Sequence, residues 1–163
     1  MKKKNIYIII IVLLVLLGIA AFIIFKKSSN EKTILKEFLT QYYTVDEVVP
    51  ENFITEEYVD REIERYEDFF EEDSLEKFIM SRTILWNKQY SSDNQCTISV
   101  EKIKITTEES SKTKKKFDYK VDLKLLGDNI DHSASAKGEV YMEKLDGKPR
   151  ITYFNCTQLA EPN

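Results

Sequence analysis

The chain has 163 residues, with 24 Lys+Arg against 28 Asp+Glu, two cysteines and one histidine. Four glycines and three prolines are too few for long disordered linkers. Residues 28–163 hold 19 of the basic residues and all 28 acids, a net charge of −9, which argues against a nucleic-acid or anionic-lipid binder.

The chain opens MKKK and then runs from Ile6 to Phe25 without a charge. At about 1.5 Å per residue such a helix spans about 30 Å, the thickness of a bilayer core. A secretory signal has a shorter apolar region, about 7–15 residues, and ends in small residues. Here the run ends in Phe22, Ile23, Ile24 and Phe25, and no cysteine follows as in a lipoprotein signal. No face of it is polar, as a soluble helix would require. Residues 1–27 are therefore expected to be an uncleaved single-pass anchor with basic flanks, embedded in the lipid bilayer through 6–25. Lys2, Lys3, Lys4 and the terminal amine outweigh Lys26 and Lys27. The positive-inside rule then puts the N-terminus in the cytoplasm and residues 28–163 outside the cell membrane as one exported domain.

"KKSSN" (26–30) reads as a short linker. Asn30 can cap a first helix over 31–43, with Ile34, Leu35, Phe38, Leu39, Tyr42 and Tyr43 at helical spacing. Thr55 reads as the cap of a second helix carrying Val59, Ile63, Tyr66 and Phe70 on one stripe. Asp73 or Ser74 can cap a third helix that extends through Leu85 and Trp86.

The period then changes to two. Ile98 and Val100 are out of phase with Ile103 and Ile105, which predicts a bulge near Glu101–Lys102 in strand one. Strand two alternates Phe117, Tyr119, Val121, Leu123 and Leu125 with Asp118, Lys120, Asp122 and Lys124, one face buried and one wet. A turn at 127–129 precedes strand three, where mid-strand Gly138 suggests a bend or bulge. Asp146-Gly147 is a hairpin signal leading into strand four. Helices before strands predict an α+β fold: three helices packed on a curved four-stranded antiparallel meander.

This layout, with its leading helix "ILKEFLTQYYTVD", resembles the cystatin-like folds, and the nuclear transport factor 2-like superfamily in particular. With a membrane helix in front, it is similar to the VirB-eight-type component of type IV secretion systems and to its counterparts in Gram-positive conjugative elements. The chain lacks the Asn-Pro-x-Gly sequence many VirB-eight proteins carry, so no functional residue transfers.

Few residues invite chemistry. His132 is the sole histidine, beside Asp131 at an expected turn-to-strand junction, without a serine elbow or cysteine–base pair to support it. Cys96 and Cys156 do not form a metal motif. An exported domain could bridge them, since the start of strand one and the end of strand four lie at the same end of a meander, but three strand spacings in a flat sheet put them about 14 Å apart, whereas a disulfide needs about 7 Å. Only strong curling or a different strand order would join them; otherwise they are two buried thiols. Glu57, Asp60, Glu64, Glu67 and Glu71 lie near one side of helix two, either as a solvated face or as an acidic docking face for a basic partner. "KTKKK" (112–116) reads as a solvated hairpin tip. The many aromatic residues read as core, although cystatin-like folds often keep a cavity there.

The expected function is a non-enzymatic scaffold or assembly subunit, most simply of a conjugative or type IV secretion apparatus. It would need no cofactor or nucleic acid, and its partners would be envelope or secretion-complex proteins or further copies of itself. The alternatives are a cell-envelope ligand-binding module and an isomerase- or dehydratase-like enzyme on the same fold.

Overall fold

A computed structural model describes residues 31–111, 113–157 and 159. The apolar run 6–25, the linker and the Asn30 cap lie outside the described residues. Among the described residues no helix is long and apolar enough to cross a membrane.

Helix α1 covers 31–43. Leu35, Phe38, Leu39 and Tyr42 recur at i, i+3, i+4 and i+7, and all are at most 1 % exposed. Helix α2 spans Glu56–Tyr66. Thr55 caps it as expected, its hydroxyl accepting the Tyr58 N–H at 3.2 Å. A 3-10 turn, Glu67–Phe69, follows and leads into α3, Glu72–Met80.

Two expectations need correction here. The cap of α3 is neither Asp73 nor Ser74 but Glu71, whose carboxylate accepts the N–H groups of both, at 3.2 and 3.1 Å. A carboxylate at a helix N-terminus also suits the positive end of its dipole. Nor does α3 continue through Trp86. Arg82 adopts a left-handed conformation, φ 57°, and its N–H turns back to the Ile79 carbonyl. A 3-10 turn, Thr83–Leu85, and a separate helix α4, Trp86–Asn94, follow. The strain of a left-handed arginine, about 1–2 kcal/mol, is offset by burying Thr83, Ile84 and Leu85. The described chain thus has four helices, not three.

The strands β1 (Cys96–Ser110), β2 (Lys114–Gly127), β3 (Ile130–Leu145) and β4 (Lys148–Cys156) form an open antiparallel sheet in the order β1-β2-β3-β4. The register of β1 slips between Val100 and Lys102, where the sequence predicts a bulge. The extra residue rephases the strand, so Val100, Ile103 and Ile105 all pack against the core beside buried Ile98. On β2 the alternation holds: Phe117, Tyr119, Val121, Leu123 and Leu125 are buried. The opposite face carries ion pairs such as Lys120–Asp122 at 2.9 Å and Lys116–Glu139 at 3.1 Å. Asp146 and Gly147 turn with φ 47° and 82°, the two positive values a tight two-residue hairpin demands.

Single backbone bridges touch both outer strands. Val45 exchanges hydrogen bonds with Ile98 of β1 at 2.8 and 2.9 Å, and the Glu71 N–H donates to Ile151 of β4 at 3.0 Å. Between helices and sheet the space is filled by rings. Phe38 stands at the centre, with Tyr42, Tyr66, Phe69, Phe70, Phe78 and Phe154 at centroid distances of 5.1–6.2 Å. Each such pair adds about 0.5–1.5 kcal/mol beyond its burial.

Candidate functional site

Adjacent tyrosines end α1. The Tyr42 and Tyr43 rings meet edge-on, centroids 4.8 Å apart. Tyr42 donates to the Thr83 carbonyl at 2.9 Å, and its oxygen lies 3.6 Å from Cys156 Sγ. That hydroxyl proton is committed to Thr83, so the thiol is the donor in the second contact. The Tyr43 and Tyr119 hydroxyls are 3.0 Å apart, and Tyr119 donates onward to the Asn155 carbonyl at 3.4 Å. The same proton count makes Tyr43 the donor to Tyr119.

Helix α4 is held against this corner by its buried polar face. Asn87 Nδ2 donates to the Tyr42 carbonyl at 2.9 Å, one of the carbonyls that a helix end leaves open. Ser91 accepts the Val49 N–H at 3.2 Å and donates to the Cys96 carbonyl at 2.6 Å. From α4, Trp86, Asn87, Gln89, Tyr90 and Asp93 line a cavity of about 280 Å³. Tyr42 and Tyr43 line it from α1, and Cys156, Thr157 and Leu159 line it from the end of β4 onward.

The cavity is aromatic and uncharged except at one point. Burial pushes the Tyr42 and Tyr43 hydroxyls well above the usual phenol range, and the Cys156 thiol up from its ordinary value. All three are therefore neutral near pH 7. Among the described residues, Asp93 is the one carboxylate in the lining, which includes no lysine or arginine. Gln89 Nε2 holds Asp93 Oδ1 at 2.6 Å. The Cys156 neighbours are phenols rather than a histidine or a cation, so nothing activates the thiol as a nucleophile. This arrangement suits binding.

The residues singled out from the sequence do not converge on the cavity, apart from Cys156. The two cysteines are free thiols, and the expectation that they lie at one end of the sheet is corrected by the register. Strand β4 stops halfway along β3: Cys156 pairs with Gly138, which faces Tyr119, which faces Ile105. Cys96 lies nine residues from Ile105 along β1. At about 3.3 Å per residue that is about 30 Å, too far for a bridge at any sheet curl.

The acidic set divides as well. Glu57, Asp60 and Glu64 are exposed on α2 and Glu67 on the turn after it. Glu71 is not on helix two at all; its carboxylate is occupied as the α3 cap. His132 pairs with Leu125 in the ladder and is half-buried rather than on an open junction. In the hairpin, Lys114 meets Glu143 at 3.2 Å, and Lys112 lies outside the described residues.

Sequence reading misses two buried charges. Glu62 is 7 % exposed, with one carboxylate oxygen 3.7 Å from Arg65 and the other without a hydrogen-bond partner. Lys88 is equally buried, and desolvation lowers its amine from the usual lysine range while Glu62 raises it. The signal for Glu62 is its place inside the Val59–Ile63–Tyr66 stripe. Neither residue lines the cavity.

No protein-family model, curated protein or solved structure matches the chain.

Proposed function

We propose that this protein is a non-enzymatic assembly subunit, tethered to the cell membrane by residues 6–25, with its C-terminal domain outside the cell. On this reading the domain is cystatin-like, and the apparatus it serves is of the conjugative or type IV secretion kind. What supports the reading is the aromatic filling around Phe38. The space between helices and sheet, where an enzyme on such a fold would keep its pocket, is occupied by packed rings. The buried acid Glu62 stands outside the remaining cavity. A tether confines the domain to the membrane plane, and confinement raises effective concentration so that weak contacts suffice for assembly. Cross-linking of the full chain in its native membrane, followed by purification, tests this. Recovery of envelope proteins or of higher copies of the chain is expected. A strictly monomeric chain without an envelope partner would defeat the proposal.

A second reading, a ligand-binding module of the envelope, is favoured by the cavity between α4 and the end of β4.

A further inference from the structure

The cavity beside α4 has a chemistry of its own, and the inference below rests on the second reading. Its volume, about 280 Å³, sits just under the range of drug-sized pockets, about 300–1,000 Å³. It therefore fits a head group rather than a large metabolite. Four aromatic side chains, Tyr42, Tyr43, Trp86 and Tyr90, line it from two helices. The hydroxyls of the two α1 tyrosines are turned away to Thr83 and Tyr119. Tyr42 and Tyr43 are each 1 % exposed, so half-buried Trp86 and Tyr90 are the rings open to a ligand, and aromatic rings attract a cation whose own hydration is weak. Asp93, itself exposed, adds a carboxylate to the same lining, where its Oδ1 accepts from Gln89 Nε2 at 2.6 Å. An anionic ligand would meet this carboxylate with no cation among the described residues of the lining to offset it. A purely hydrocarbon ligand would leave the carboxylate unused.

We infer that the cavity is a binding site for a small alkylated ammonium group, with the rings of Trp86 and Tyr90 and the carboxylate of Asp93 as its recognition elements. Trimethylammonium is the simplest such group, whether free, on a lipid head group or on an envelope polymer. Binding here is non-covalent.

Trp86 is the sole tryptophan of the chain, so intrinsic fluorescence reports on this cavity alone. The full chain in maltoside micelles is titrated with choline and with its neutral isostere 3,3-dimethylbutanol. Choline is expected to change the Trp86 emission saturably and to bind about ten-fold tighter than the isostere. Asp93→Asn, which keeps the acceptor for Gln89, is expected to weaken choline several-fold and leave the isostere unchanged. In phosphatidylcholine nanodiscs a lipid source is revealed by an emission already shifted before choline is added. An unshifted emission that still responds to free choline identifies a soluble source, and either result supports the ammonium chemistry. Equal binding of choline and isostere overturns the inference while the ligand-binding reading stands. If neither probe moves the emission, the inference falls.

Discussion

The Tyr119 ring lies across Gly138, its partner on the neighbouring strand. A Cβ on Gly138 would sit 2.7 Å from the Tyr119 hydroxyl oxygen and 2.0 Å from the Asn155 carbonyl oxygen. The sequence suggests a bend or bulge at this glycine, yet the β2–β3 ladder passes through it in register, and the β3–β4 ladder ends on it. The β3–β4 slip comes later, between Tyr141 and Met142. What the glycine provides is close approach. Only a bare Cα lets Tyr119 reach over β3 to the Asn155 carbonyl on β4 while it meets the Tyr43 hydroxyl from α1.

Gly138→Ala should therefore destabilise the domain. The nearer obstacle is backbone, which cannot step aside as a flexible side chain can. Overpacking of this kind costs about 1–3 kcal/mol. Denaturant unfolding of the variant should show a lower midpoint at unchanged slope. A midpoint equal to that of the parent would mean that β4 is not seated where the Tyr119–Asn155 contact requires.

Glu71 is a structural carboxylate among solvated ones. Its two backbone contacts at 3.1–3.2 Å, and the Ser74 hydroxyl at 3.1 Å, hold α3 at its first turn. The same contacts lower its pKa from the ordinary glutamate value, the Asp73 N–H foremost. Glu71→Ala should cost about 1 kcal/mol at pH 7, the usual worth of a lost cap. Because the folded pKa is depressed, the contribution of Glu71 is present above the unfolded glutamate value and lost as pH falls through the lower folded one. Glu64→Ala, on the exposed face of α2, should change stability by less than about 0.5 kcal/mol. Thermal unfolding of both variants at pH 7 and pH 3 checks this. Equal effects at pH 7 would rule out the capping role.

How far the fold is legible in the sequence follows from which forces are local. The β1 bulge is readable because a one-residue slip in a two-residue period leaves a visible phase error between Val100 and Ile103. Thr55 and Asp146-Gly147 are readable because caps and tight turns depend on a few adjacent residues. The break at Arg82 is not readable. An arginine in the left-handed region carries no local preference for it, and tertiary burial of Ile84 and Leu85 imposes it. The cavity escapes for a related reason. Trp86 and Tyr90 read as core by type, and the separate helix α4 carries both into the cavity lining, Tyr90 while also packing against the core. The end of β4 in mid-sheet, which parts the two cysteines, depends on strand length, and no residue spacing marks it.

The parted cysteines make a direct prediction. Non-reducing mass spectrometry of the full chain purified from membranes should give the mass of the dithiol form. Cys96 is fully buried and should react with a thiol reagent only in denaturant, whereas half-buried Cys156 lines the cavity and should react first in native buffer. Cys96→Ser together with Cys156→Ser should not remove any disulfide-derived stability, whereas loss of a native bridge would cost about 2–5 kcal/mol. A mass two hydrogens lower, with an intramolecular bridge mapped to these two residues, would contradict the sheet register.

Buried phenols should make the domain alkali-sensitive. Burial raises Tyr42, Tyr43, Tyr66 and Tyr119 above the ordinary tyrosine value near 10, which is also their value when unfolded. The folded state therefore retains protons that the unfolded state releases. Stability from this source is complete below pH 10 and is lost as pH rises above it, toward the raised folded values. Each tyrosine accounts for about 1.4 kcal/mol per pH unit in that window, so the four together reach about 6 kcal/mol by pH 11. Denaturant midpoints measured from pH 8 to pH 11 should fall steeply above pH 10, and tyrosinate absorbance of these four should rise only with unfolding. Tyr43→Phe with Tyr119→Phe removes two of the four, together with the hydrogen bond to Asn155. That double variant should be less stable at pH 8 yet lose stability with pH about half as steeply. An unchanged steepness would mean that Tyr43 and Tyr119 already ionise in the folded state, and that the corner joining α1 to the sheet is open to water.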